Sequence, residues 1–401
     1  MSDILLAFAA RGLSQGSWGS WLVWLLVTTQ LTILAVTLYL HRSQTHRAVD
    51  FHPLVAHALR FWAWLGTGMV TREWVAIHRK HHARVETADD PHSPQVHGIG
   101  TVFWRGAELY RAASAHREDI ERYGRGTPDD WIERHLYTPR ASWGPALMLL
   151  LDVALFGVAG VAIWAVQMAW IPLWAAGVVN GLGHWWGYRN FETADTSTNL
   201  SPWGLWIGGE ELHNNHHAYP GSARFALRRF EVDLGWIVIR GLAALGLARV
   251  LRVAPALDIR ANVGLPDTDT ARALLAQRFR VMSEYFHGVI APTLREEAAS
   301  AGANLKALPR RLRRALGNGG RWLDAASRER LGAFTERCPR LQRVCEFRAR
   351  LAALIERNGR NGDALLEALR DWCHEAEASG IRALQEFSAR LKGYRLVGEA
   401  A

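Results

Sequence analysis

From Gly12 to Leu40 the chain carries no charged residue. Within that stretch, Ser20 to Leu40 (SWLVWLLVTTQLTILAVTLYL) is long enough to cross a hydrocarbon core of about 30 Å as a helix. It is too long for the apolar core of a secretory leader and has no small-residue cleavage site, so it reads as a retained span. A second such region runs from Pro145 to His184, forty residues whose one charge is Asp152. Its length fits two helices joined by a tight turn, with Trp164, Trp170 and Pro172 near the middle at the depth of an interfacial belt. The expected spans are 18–40, 145–164 and 167–187.

Two further apolar runs carry charge. Phe51 to Val70 holds His52, Pro53, His57 and Arg60, and Leu234 to Val250 holds Arg240 and Arg249. One more crossing would put the chain's histidine groups on opposite faces of the bilayer. Both runs are therefore expected as amphipathic helices lying in the interface, at 51–70 and 234–250. Arg72 to Arg140 is polar and basic, which places it on the cytoplasmic side.

Composition divides the chain in two. Residues 1–267 hold 17 of the 19 tryptophans and 15 of the 17 histidines, with 23 Lys/Arg against 22 Asp/Glu. Beyond Asp267 the count is 24 against 16, so nearly all of the net +9 belongs to the last third. The expected domains are 1–260, in the membrane, and 268–401, basic, helical and cytoplasmic. Cys338, Cys345 and Cys373 all lie in the second, at spacings that fit neither a CxxC pair nor a dense disulfide framework, which points to a reducing compartment.

The histidines are grouped beside the ends of apolar segments. His41 and His46 lie in HRSQTHR, His78, His81 and His82 in HRKHH, and His213, His216 and His217 in HNNHH; Asn180 and His184 close NGLGH. Positions i, i+3 and i+4 share a helix face. Adjacent histidines differ by about 100° in direction, so His81 and His82 suit two neighbouring metal ions better than one. On a continuous α-helix His41 and His46 would diverge, and the helix is expected to end or loosen between them. Nine imidazoles exceed the four to six ligands that one metal takes and match two. His52, His57, His92, His97, His116, His135, His287 and His374 lack such company and read as ordinary polar residues.

With HRSQTHR, HRKHH, NGLGH and HNNHH in this order, the chain resembles the membrane fatty acyl desaturases, the stearoyl-CoA (acyl-CoA delta-9) desaturase family in its bacterial type. The likeness covers Val36 to Arg224 and extends to Trp74, to ETADDPHS (Glu86 to Ser93) and to GEELHNNHHAYP (Gly209 to Pro220). It implies an all-α, polytopic helical membrane protein with a cytoplasmic di-metal histidine cap and an appended helical C-terminal domain, in a bacterial inner membrane. By the same resemblance His41, His46, His78, His81, His82, His184, His213, His216 and His217 are ligands of two iron ions, and Asn180 holds a metal-bound water. The implied reaction uses O2 as co-substrate and inserts a cis double bond, at the delta-9 position, into a saturated acyl chain. Two departures stand out. Ile4 to Ala10 is too short for the family's usual first crossing, and Ala76 and Ile77 stand where animal acyl-CoA members carry an Arg-Asp pair that helps hold CoA. Acyl-CoA and phospholipid therefore both remain open as the substrate.

Opening an unactivated C–H bond needs an oxidising metal, to which the protein adds ligation, positioning and exclusion of water. Glu86, Asp89, Asp90, Glu210 and Glu211 are candidates for orienting the imidazoles. Trp62, Trp64, Trp185 and Trp186 are candidate walls of a narrow acyl tunnel. No CxxC, no GxGxxG opening a helix after a strand and no haem-attachment motif is present, so electrons are expected from a ferredoxin, a flavin reductase or a cytochrome. The alternative reading keeps the metal site and changes the chemistry, making the chain a di-iron membrane hydroxylase acting on an alkyl or acyl chain; the forms of the boxes favour the desaturase. A non-enzymatic metal sensor or carrier explains less well why the groups sit at span ends. In the tail, LPRRLRRALG (Leu308 to Gly317) is a dense cationic stretch whose functional readings are an anionic leaflet or an acidic electron donor. No nucleic-acid motif accompanies it, and no nucleic-acid partner is expected.

Overall fold

The computed structural model describes residues 8–300, 308–357 and 362–397. They are mostly helical and form two compact units, the described parts of Met1–Arg189 with Thr193–Ala254, and of Asn190–Glu192 with Pro255–Ala401. Strand is limited to three two-stranded pairs among these residues. Of the short N-terminal segment discussed above, residues 4–7 lie outside the described residues.

In the first unit, helix α1 (Trp18–Leu34) continues without a break into a wider π-wound stretch, Ala35–Thr45. Helix α2 (Pro53–Thr67) packs against that stretch, and α3 (Thr71–Arg84) follows after a turn at Gly68, whose φ of 65° suits glycine. The Pro at the start of α2 and the His52 ring, which accepts from the Leu54 N–H, begin that helix. Arg60 is not left bare on this apolar segment: it is buried, and its guanidinium donates to Asp130 and Glu133 at 2.5 Å each. Helix α4 (Ile99–Ser114) and the pair α5 (Trp143–Phe156) and α6 (Ala159–Ile171) complete the main helices; α6 runs on as a π-wound stretch, Pro172–Gly181.

Among the described residues two helices are long and apolar enough to cross a bilayer by length and composition, Trp18–Thr45 and Ala159–His184. The expected division of the second apolar region is thus corrected. Its turn falls at Gly157 and not near residue 165, because Gly157 adopts φ 65° and ψ −140°, a conformation essentially confined to glycine. Helix α5 is left with 14 residues, about 21 Å at 1.5 Å per residue. Asp152, the one charge of the region, is buried and accepts a 2.7 Å bond from the Trp24 indole. The helix expected over 234–250 also ends early. Helix α7 (Leu234–Ala244) stops before Gly246, at φ 71°, and Ala248–Val250 becomes a strand paired with Val49–Phe51 in antiparallel register, Val49 opposite Val250.

A buried ion pair ties the end of the first long helix to the later loops. Both Arg42 and Asp233 are fully buried, joined by two hydrogen bonds of 2.9 and 3.1 Å, and the guanidinium also donates to the carbonyls of Ala223 and Gly208.

The second unit is a helical assembly closed by one antiparallel strand pair, Ala256–Ile259 with Tyr394–Val397. Tyr285, Phe347, Trp372 and Phe387 pack edge to face at its centre. Its three cysteines are free thiols. The cationic stretch forms a helix, Arg310–Asn318, that buries Leu312, Ala315 and Leu316 and exposes Arg311 and Arg314, and Gly319 at φ 70° ends it.

Candidate metal centre

The π-wound stretch decides how the first histidine pair is presented. On an α-helix, residues five apart point about 140° from one another. Here the His46 N–H bonds to the His41 carbonyl at 3.1 Å, the i to i+5 pattern of a π-helix, and the two rings come to 4.9 Å between centroids. Of the two expected outcomes, an end or a loosening of the helix, the structure takes the second.

The nine imidazoles fall into two groups, each with one ring nitrogen per residue within 4.8 Å of all the others. One group is His41, His46, His78, His82 and His216; the other is His81, His184, His213 and His217. Helical geometry explains the division. His78 and His82, at i and i+4 on α3, bring their Nε2 atoms to 3.1 Å, while His81, about 100° away from His82, points to the other group. The short helix His213–Ala218 divides in the same way: His213 and His217 share one group and His216 joins the other. Asn180 lies in the wall of the adjoining cavity.

Carboxylates hold the outward nitrogens. His41 Nδ1 lies 2.7 Å from Glu210, His81 Nδ1 2.9 Å from Asp90, His217 Nδ1 3.0 Å from Asp195 and His184 Nδ1 3.4 Å from Glu86. A proton on each Nδ1 leaves an Nε2 lone pair turned inward. The Nε2 atoms of His46, His81 and His217 are buried and have no hydrogen-bond partner among the described residues, and Nε2 pairs approach to 2.8 Å for His82 with His216 and 3.0 Å for His184 with His213. Burying so many facing lone pairs in an apolar interior is unfavourable unless a cation lies among them, so this donor set fits two metal ions.

Electrostatics point the same way. Burial and then the neighbouring imidazoles push His46, His78, His82, His213 and His216 well below the ordinary histidine range, so they are neutral at pH 7 and able to ligate. Burial takes His217 down to about 4 against the opposing pull of Asp195. The carboxyls of Asp90, Asp195 and Glu210 are pushed up by burial, but their histidine partners outweigh it and hold them below the usual carboxylate range.

Of the expected orienting carboxylates, Glu86, Asp90 and Glu210 take that place and two do not. Asp89 is exposed, and Glu211 turns to the backbone N–H groups of Trp206, Ile207 and Gly209. Asp195 was missed, although the tetrapeptide ETAD that places Glu86 and Asp89 recurs at Glu192 to Asp195. His92, read as a bystander, stacks on His81 with ring centroids 4.4 Å apart and forms a further group with His81 and Asp90.

A cavity of about 470 Å³ opens onto both groups. Its apolar wall includes Ile33, Val36, Met168 and Ile171, and His41, His78 and His213 face it. Trp74 lines it; Trp62, Trp64, Trp185 and Trp186 do not, which corrects the expected tunnel walls. Trp185 and Trp186 are exposed, and the Trp64 indole donates to the Arg140 carbonyl. A wider polar cleft of about 760 Å³, bordered by Arg72, Arg117, Arg125 and Arg134, shares Val70, Glu73 and Ser114 with this cavity.

Known proteins carry similar sequences. The sequence model of the fatty acid desaturase family matches residues 17–238. An sn-1 stearoyl-lipid 9-desaturase of Anabaena variabilis is 30% identical over 250 residues, 60% of this chain and 87% of that protein. A Delta-9 acyl-lipid desaturase 2 of Arabidopsis thaliana is 28% identical, covering 55% of this chain and 71% of its own length. An acyl-CoA 5-desaturase of Anemone leveillei is 29% identical, covering 59% and 73%.

Proposed function

The chain belongs to the fatty acid desaturase family and is a fatty acyl desaturase, and from that premise we propose that it inserts a cis double bond at the delta-9 position of a long saturated acyl chain. The observation that carries this reading is the apolar cavity faced by imidazoles of both groups, His41 and His78 from one and His213 from the other. Nine histidines would hold two iron ions: His41, His46, His78, His82 and His216 one, His81, His184, His213 and His217 the other. Asn180, in the cavity wall, would hold a water beside the second. Bound iron supplies the activation of O2 that removal of two unactivated hydrogens requires. Glu210, Asp90, Asp195 and Glu86 keep the imidazole protons on the outer nitrogens, so the inner lone pairs stay aimed at the centre. The buried apolar wall excludes water and keeps the chain extended past the histidines.

The acyl group enters as a thioester or a lipid ester, with its polar head in the cleft beside Glu73 and Ser114. Trp18–Thr45 crosses a bacterial inner membrane, α5 enters it and Ala159–His184 returns as the second arm of that hairpin, so that the histidines lie on the cytoplasmic side with the basic C-terminal unit. Two electrons per turnover come from an external protein such as a ferredoxin, a flavin reductase or a cytochrome.

Expression in a host of defined lipid profile, with an electron donor and oxygen present, followed by gas chromatography of total fatty acids, tests this. A new monounsaturated species is expected. Absence of any would overturn the reading, and hydroxylated acids in its place would favour the di-iron hydroxylase.

A further inference from the structure

Helix α4 carries a buried group for which neither the metal centre nor the apolar cavity accounts. The Tyr110 hydroxyl is buried and has no hydrogen-bond partner among the described residues, yet Tyr110 lines the cavity. Leaving a hydroxyl buried and unpaired is unfavourable, so an apolar cavity meant only for methylenes would favour phenylalanine there.

Position gives the hydroxyl a purpose. Tyr110 and Ser114 are four residues apart on α4 and share a face, and Ser114 is one of three residues common to the cavity and the polar cleft. A second of the three, Glu73, stands in the first turn of α3. The Tyr110 ring senses the Glu73 carboxyl, and burial raises the pKa of both groups. Where apolar and polar spaces meet, a substrate with an apolar tail and a polar head places its linking carbonyl. That oxygen is an acceptor, and a phenol donates. Helix α3 then acts as a ruler: from Glu73 at the junction to His78 is five residues, about 7.5 Å of rise at 1.5 Å per residue.

We infer that Tyr110 is a specificity-determining residue whose hydroxyl donates to the acyl carbonyl oxygen, of a thioester or an ester alike, and so fixes which methylenes lie against the histidines. The inference rests on the desaturase reading above. A chain anchored at its carbonyl has one register; a chain held by apolar contacts alone slides by a carbon at little cost, since each methylene sees nearly the same wall.

Tyr110→Phe removes one oxygen and keeps the ring. In the defined-lipid host, the wild-type protein is expected to give one predominant double-bond position, located by mass spectrometry of the derivatised products. In Tyr110→Phe the neighbouring positional isomers are expected to rise at least about tenfold, the shift of roughly 1.4 kcal/mol in register preference that loss of one hydrogen bond brings. Iron content of the purified protein is expected to be unchanged. An identical isomer distribution in the variant would overturn the inference. A second measurement covers a variant that yields no product: methyl stearate should stabilise the wild-type protein against heat more than octadecane does, and Tyr110→Phe should not distinguish the two. Equal stabilisation of the wild type by both ligands would also overturn it. If the wild type makes no unsaturated product yet still distinguishes the ligands, the proposed function fails and the carbonyl subsite stands.

Discussion

Asp90 Oδ1 lies 2.9 Å from Nδ1 of His81, while Asp90 Oδ2 accepts the Glu86 N–H at 2.7 Å. Both residues are fully buried, so the carboxylate is fastened at each oxygen and the imidazole cannot turn without breaking a bond in a dry interior. Asp195 with His217 repeats the device in the same group, and Glu210 with His41 supplies it in the other.

Truncating one of these carboxylates should therefore loosen metal without emptying the whole centre. Asp90→Ala and Asp195→Ala are expected to weaken binding at their group by about 10–100-fold. Chelator competition on the purified protein measures this. Asp89→Ala, at an exposed carboxylate, serves as the control and should change nothing.

The two groups should be separable by mutation. His216→Ala removes an imidazole from one group and His213→Ala from the other, so each variant is expected to retain close to half of the iron and lose nearly all desaturation. Elemental analysis beside fatty-acid profiling decides it. His57→Ala, outside both groups, should keep full metal content. Both irons retained in His216→Ala would refute the ligand assignment.

Gly183 is the place where a single methyl group should disturb the centre. A Cβ there would lie 2.9 Å from Cδ2 of His213, closer than such atoms stand. Gly183→Ala is expected to displace that ring and lower iron content at the group of His213. Rescue by enlarging the opposite side is not available, because His213 is itself a proposed ligand. Iron analysis and the thermal melt of the same sample separate a local displacement from general unfolding.

Arg42→Met should cost stability before it touches chemistry. It strands the Asp233 carboxylate, which shares two bonds with the guanidinium in a fully buried setting, and the expected loss is about 3–5 kcal/mol. A lower midpoint of thermal unfolding in detergent checks it. Replacing both partners, Arg42→Met with Asp233→Leu, should recover much of the loss.

The metal-free protein should be acid-sensitive. The folded pKa values of His46, His78, His82, His213, His216 and His217 lie below their unfolded value of about 6.5, so the unfolded chain binds more protons as pH falls through that value. Stability is expected to drop from pH 7 toward pH 4, the folded value for His217. The depressed carboxyls Asp90, Asp195 and Glu210 add to the loss at the acid end. Thermal melts of chelated protein across this range measure the slope, and bound metal should flatten it near neutrality by competing with protons.

Local rules carried the sequence reading a long way. The 3.6-residue period alone separates His81 from His82 and His216 from His217, because adjacent side chains on a helix point about 100° apart whatever surrounds them. The uncharged run from Gly12 to Leu40 likewise requires a long helix, since no other structure buries so many consecutive backbone groups without water. Other features depended on residues far apart in the chain. Asp195 reaches His217 across 22 residues and Glu210 reaches His41 across 169, separations at which no periodicity operates. His92 and Tyr110 look ordinary in sequence; packing alone stacks one on His81 and leaves the other's hydroxyl in a cavity wall. The helix boundary at Gly157 and the π-wound turn that draws His46 toward His41 were also settled in three dimensions. Spacing along one helix is intrinsic to the chain, whereas the pairing of a buried donor with its acceptor exists only once the helices have packed.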